Sequence, residues 1–232
     1  MLQTTQAAGR RPLSEVAYEL VRDRIVYLEL LPGQMVYESE LSSALGMSRT
    51  PLREAVRALQ AEGLIEVLPQ RGARIARISA SKVGETRFVR AALEAAAFRE
   101  LAAGWRDRPD RLRLEQSARL LLEEQREAAR QGDAKQFLKT DEAFHGLFLR
   151  AYGNATALGV VGQMRGHLNR IRYLMLQRLD QTDALIAEHE QLLEALIGGE
   201  APRAATVLEH HLHKVLDDLP DMAAAEPEWF EA

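Results

Sequence analysis

The apolar positions of this chain follow two regimes. From Leu13 to about Ile78 they form short helical blocks that give way to a run rich in β-formers, and from Lys82 onward they hold a helical period. Leu13 to Leu30 carries Val16, Leu20, Ile25 and Leu28 near helical spacing until Pro32-Gly33 breaks it. Ser39 then caps a short helix through Leu45 with Gly46 as its stop, and Ser48 caps a longer one to about Glu62, ended by Gly63. Leu64 to Leu68 and Ala73 to Ile78 read as two strands joined by a turn at Pro69-Gln70-Arg71-Gly72. After the polar joint Ser79-Ala80-Ser81, helices are expected at about 82–104, 109–131, 133–152, 155–178, 181–197 and 201–219, with glycine, asparagine, aspartate and proline marking the breaks. The pattern predicts a mostly α protein of two domains, 13–78 and 82–220, the second an antiparallel bundle of about six helices.

The segment from Ser39 to Leu64 has the proportions of a helix, a tight turn and a second helix. In the second helix Leu52, Ala55, Val56 and Leu59 form a core-facing stripe, while Arg49, Arg53 and Arg57 recur every four residues on another face, with Thr50 beside them. Pro51 is tolerated because the first helical turn has no acceptor for its missing N–H. An arginine column starting at a helix N-terminus suits a helix laid in the major groove of double-stranded DNA, where guanidinium forks reach guanine edges or clamp phosphates. The following hairpin, carrying Arg71 and Gly72, would be the wing. The same spacing also fits a solvated arginine face paired with Glu54 or Glu62. Net charge does not decide between these readings. The chain carries −4 overall, but residues 1–79 hold 10 basic against 9 acidic side chains and the remainder 20 against 25, so DNA affinity would have to come from the placement of charge.

The run Glu40-Leu41, Leu45 through Val56, Leu59, Glu62-Gly63-Leu64, Pro69 and Arg71-Gly72-Ala73 resembles the GntR-type winged helix-turn-helix signature over roughly residues 13–78. The resemblance implies DNA contacts at Arg49, Thr50 and Arg53 in the recognition helix and at Arg71 and Gly72 in the wing. Met47 stands where valine is commoner, a small apolar change.

Three stripes in the helical part are not ordinary core. Asp141 and His145 sit among Phe137, Phe144 and Phe148, His189 sits among Leu185, Leu192 and Leu196, and His211 sits among Ala204, Val207, Leu208 and Val215. Buried unsatisfied, these groups would cost several kcal/mol, so they must meet partners. Asp141 and His145, four residues apart, can grip one ion together. With His189 and His211 they would complete a set suited to Zn²⁺, with Ni²⁺ or Mn²⁺ as alternatives. A lone histidine in such a stripe is more often a hydrogen-bonded core residue; four such groups together favour the ion. Arg90 shares an apolar face with Leu93, Ala97 and Leu101, and either holds an effector carboxylate or pairs with Glu94 one turn on. Asp141-x-x-x-His145, Glu188-His189 and His211-Leu212 also resemble, in that order, the FCD ligand-binding domain of the FadR subfamily, in its VanR-like branch. That resemblance covers about residues 82–220. It implies a metal on Asp141, His145, His189 and His211, a small organic acid as effector, a homodimer, a palindromic operator and, by the family's habit, repression.

Composition removes some alternatives. With no cysteine there are no disulfides, thiolate sites or cysteine nucleophile. No apolar run approaches the ~18 residues of a membrane span, and Met1 to Pro12 lacks a signal-peptide core, so no membrane partner and a cytoplasmic location are expected. A metal-dependent hydrolase built on the Asp/His cluster is the alternative function. It needs a general base at the metal, and Glu142 and Glu188 are expected to point off the ligand face. A helical scaffold would leave the arginine column and the wing unexplained.

Overall fold

The computed structural model describes residues 11–231, so the expectation for Met1 to Pro12 lies almost wholly outside the described residues. The first part holds α1 (Leu13–Val26), β1 (Met35–Val36), α2 (Glu38–Leu45), α3 (Arg49–Ala61), β2 (Ile65–Leu68) and β3 (Gly72–Ile75). The strands form one antiparallel sheet in the order β1-β3-β2. Its core contains Val21, Ile25, Leu41, Leu52, Val56, Leu59, Leu64 and Ile75, so the predicted stripe of α3 faces inward. Gly46 ends α2 in a left-handed conformation, φ 62°, and opens the tight turn into α3.

Several local expectations need correction. Helix α1 stops at Val26, not Leu30, because the chain turns at Leu28, which adopts a left-handed φ of 55°. Ser39 lies inside α2, whose N-cap is Tyr37, and the Ser48 side chain makes no capping hydrogen bond although Ser48 occupies the N-cap of α3. Strand β1, two residues long, is too short to show any alternation, and β3 ends at Ile75, three residues early.

The second part is an all-helical bundle of α4 (Ala80–Ala103), α5 (Arg111–Gln131), α6 (Ala134–Tyr152), α7 (Ala155–Arg178), α8 (Thr182–Gly198) and α9 (Ala201–Asp217). Phe98, Phe144, Phe148, Leu192, Leu196 and Leu208 fill its centre. A short helix, α10 (Leu219–Ala225), follows α9, where Pro220 fits the first turn of a new helix but not the interior of an old one. Among the described residues no helix is long and apolar enough to cross a membrane.

Helix α7 joins the two parts. A Cβ on Gly166 would lie 2.5 Å from Cδ1 of Leu64, so only a bare backbone fits there. Next to it His167 Nε2 donates to the Glu62 carbonyl at 2.7 Å, and Arg170 Nη1 donates to the Ala76 carbonyl at 2.5 Å. Gly162, one turn away on the same helix, has nothing within 4 Å of its missing Cβ. Gly162→Ala should therefore stabilise the protein by about 1 kcal/mol through helix propensity. Gly166→Ala should instead destabilise it by about 1–3 kcal/mol, since the overpacking outweighs that gain. Urea denaturation of both variants checks this contrast, and equal stabilisation by the two would mean that α7 does not pack on Leu64.

Candidate metal centre and nucleic-acid interface

Helix α3 buries one face and leaves Arg49, Thr50, Arg53 and Arg57 exposed on the other. Among the described residues Arg49, Arg57 and Arg71 make no ion pair, whereas Arg53 pairs with Glu38 at 3.1 Å, the two side chains 55% and 37% exposed. So open a pair contributes little, roughly 0–1 kcal/mol, and a phosphate or base edge can replace the carboxylate. Neither Glu54 nor Glu62 neutralises the column; Glu62 accepts from the Tyr18 hydroxyl. Arg71 lies exposed at the β2–β3 turn. Gly72 has φ +94°, and a Cβ there would meet the Tyr37 ring at 2.9 Å, so the wing needs glycine for its own packing.

The bundle brings Asp141, His145, His189 and His211 together, fully or almost fully buried, with one ligand atom of each within 4.8 Å of the others. His145 and His189 each place Nε2 3.2 Å from Nε2 of His211, and His189 Nε2 lies 3.5 Å from Asp141 Oδ1. Each opposite ring nitrogen has a polar side chain close by. His145 Nδ1 is 2.8 Å from Glu94 Oε2, His211 Nδ1 donates to Glu188 Oε2 at 2.8 Å, and His189 Nδ1 lies 2.8 Å from Gln125 Oε1. A carboxylate can only accept, so the proton of His211 sits on Nδ1 and its Nε2 lone pair faces the centre, and the Glu94 carboxylate beside His145 Nδ1 favours the same tautomer there. Phe144 stacks on His189 with ring centroids 4.6 Å apart and holds that ring in place.

The electrostatics favour the ligand form of Asp141, His189 and His211. Burial lowers His189 well below the ordinary histidine range, and it pushes His211 down to about 4 against the hydrogen bond that His211 donates to Glu188. Burial alone would raise Asp141, but the Arg172 guanidinium 2.6 Å away and the histidines outweigh it and hold the carboxyl well below its usual range. Glu94 is likewise held down by Arg90 and His145 despite its burial. Asp141 Oδ1 is buried without any hydrogen-bond donor. Three convergent imidazole lone pairs beside an orphaned carboxylate oxygen are a donor set that fits a divalent cation.

A cavity opens beside this cluster, walled by Arg87, Arg90, Arg172, His211 and Lys214 and by the apolar Leu168, Met175, Leu185 and Val215. Arg90 makes the expected pair with Glu94, its Nε donating at 2.6 Å, and it also lines this cavity. Arg172 Nη1 and Arg87 Nε are buried without hydrogen-bond partners. Asn154 lies elsewhere as the N-cap of α7, accepting from the Ala157 N–H, and His210 and His213 are exposed.

Sequence reasoning missed Gln125, the roles of Glu94 and Glu188 behind His145 and His211, and the role of Arg172. Gln125 was detectable, because it continues the buried stripe Leu114, Ala118, Leu122 of α5. Glu188 was expected to point away from the ligands; it does turn off the metal-facing side, but only to reach His211 from behind. Glu188 is engaged by His211 and Lys214 and Glu142 by Asn169, so neither is placed as the base a hydrolase would need.

Comparison with known proteins agrees with this architecture. The model of bacterial regulatory proteins of the gntR family matches residues 13–75, and the FCD domain matches residues 85–214. A regulator from Streptomyces ambofaciens, described only by its location in an unstable DNA locus, is 32% identical across 99% of this chain and 93% of its own length. The transcriptional repressor RspR of Escherichia coli K12 is 27% identical across 99% of both chains. In structure, E. coli McbR/YncC matches with a TM-score of 0.77 at 18% identity, over 94% of this chain and 100% of that one. A regulator from Rhodococcus sp. RHA1 matches with a TM-score of 0.70 at 19% identity, over 90% and 97%. The winged reading head, the helical bundle behind it and these matches along nearly the whole length make this chain a member of the gntR family of bacterial transcription regulators, with an FCD ligand-sensing domain and no enzymatic role.

Proposed function

We propose that this ligand-responsive regulator is a homodimeric repressor that binds a palindromic operator through Arg49, Thr50, Arg53, Arg71 and Gly72. In this reading it senses a small organic acid at a divalent metal held by Asp141, His145, His189 and His211. The observation that carries the sensing half is the convergence of three imidazole Nε2 atoms and an orphaned aspartate oxygen beside a cavity with unpartnered guanidinium groups.

Charge supports the choice of effector. Around the cluster Asp141 is matched by Arg172, Glu94 by Arg90, and Glu188 by Lys214. These three carboxylates and three cations balance, and Arg87 and Asp218 on the cavity wall cancel likewise, so a divalent ion adds two positive charges to a neutral surround. An organic acid entering the cavity supplies the missing negative charge, with Arg172 Nη1 and Arg87 Nε as free donors. When bound, the metal would supply a Lewis-acidic anchor for the acid, while Gln125, Glu94 and Glu188 keep the rings aimed.

Elemental analysis should find about one equivalent of Zn²⁺, Ni²⁺ or Mn²⁺ per chain, and almost none in a His189→Ala/His211→Ala double variant; equal metal in both would reject the site. Gln125→Leu, which touches no ligand atom directly, should weaken metal affinity roughly 10–100-fold. In a thermal-shift screen of small organic acids, stabilisation of roughly 3 kcal/mol at a hundredfold excess over Kd should occur only with metal present. A hit that is indifferent to chelator would remove the metal from the sensing step. At the reading head, Arg49→Ala or Arg53→Ala should cost about 1–3 kcal/mol of operator affinity in salt-controlled gel shifts, and unaltered binding by both would overturn the assignment of α3.

A further inference from the structure

The two family matches end at residue 75 and resume at 85, and the second ends at 214. The linker between the domains and the segment after α9 therefore lie outside both, yet the structure pairs them with each other. The Ile78 N–H donates to the Trp229 carbonyl at 2.8 Å and the Glu231 N–H donates to the Ile78 carbonyl at 3.0 Å, a parallel bridge centred on Ile78 and Phe230. Both side chains are buried, in one cluster with Val83, Ile171, Leu219 and Met222. Two residues earlier the Ala76 carbonyl accepts from Arg170, whose guanidinium reaches it from the fully buried interior of α7. Ser79-Ala80-Ser81 reads as a loose polar joint, but the backbone just before it is gripped on both sides.

We infer that Arg170 and the segment Glu226–Glu231 are positioning elements for operator binding: by clamping the linker at Ala76 and Ile78 they fix the angle at which the reading head leaves the bundle. This rests on the paired-head reading above. Two heads on one palindrome gain avidity only if the second meets its half-site at high effective concentration, and that requires a defined span and orientation. A released linker would let each head bind alone as before, but would spread the pair over many geometries.

The test compares full-length protein with a deletion of residues 226–232 and with Arg170→Lys, on a palindrome recovered by selection from random DNA and on its isolated half. Phe230→Ala replaces the deletion should that variant fail to fold by circular dichroism. Expected is a loss of at least about tenfold on the palindrome, with half-site affinity and Zn²⁺ binding unchanged. Faster hydrogen exchange of the Ile78 amide should accompany it in the deletion. An unchanged ratio of palindrome to half-site affinity in the folded variants would overturn the inference, as would an equal loss on both DNAs. If the unaltered protein itself shows no preference for the palindrome, the paired-head reading falls and takes the inference with it.

Discussion

Burying a polar centre in an apolar bundle is the constraint to which most of this molecule answers. Asp141, His145, His189 and His211 sit where hydrophobes would pack, and left unpaired they would cost several kcal/mol. The bundle meets that cost with partners from nearly every helix: Glu94 from α4, Gln125 from α5, Glu188 from α8 and Arg172 from α7. Each contact is short, and those of Gln125 and Glu188 are directional hydrogen bonds, so the relative rotation of these helices is set more tightly than leucine packing alone would set it. A half-satisfied polar network is worse than none. The orphaned Asp141 oxygen is therefore an informative defect, as are the unpartnered Arg172 Nη1 and Arg87 Nε beside the cavity.

The same constraint reaches the reading head through α7. Arg172 on this helix faces Asp141 and the cavity, while Gly166, His167 and Arg170, within two turns, hold Leu64, Glu62 and Ala76 of the first domain. Glu62 is the C-cap of α3, so the end of the recognition helix is bonded to a helix that also walls the cavity. A shift of α7 by an ångström on effector binding would be felt at α3 through a packed and hydrogen-bonded path. Gly166 leaves no slack in that path, since Leu64 already fills the space of a side chain.

Periodicity made much of this legible. The α3 stripe, the four polar intruders and the glycine stops at Gly46, Gly132, Gly153 and Gly199 all follow from spacing or from backbone freedom, and the structure has each of these glycines at positive φ. What stayed hidden has no period. A two-residue strand cannot alternate, and the bridge from Ile78 to Phe230 joins residues more than 150 positions apart. The reason Gly72 must be glycine lies in the Tyr37 ring, a contact no local pattern announces. Glu94 and Glu188 were hidden differently. An acid four residues after Arg90, or beside His189, looks like an ordinary surface charge until its helix neighbours are known.

The reading head poses the opposite problem, since it carries almost no net charge and must still bind a polyanion. Distribution resolves it. Arg49, Arg53 and Arg57 stand on one exposed face, while Glu62 is tied to Tyr18 and Glu66 to Arg74, so neither of these two acids offsets the column. Glu38 alone engages a column member, across a pair open to solvent. Such a pair is screened within about 8 Å at physiological salt and is easily exchanged. In the proposed role of Arg53, phosphate or base would have to exchange with this carboxylate. Were Arg53 to read a guanine edge as proposed, that bidentate contact would compete better for it than a single phosphate does, and the pair would favour operator over bulk DNA.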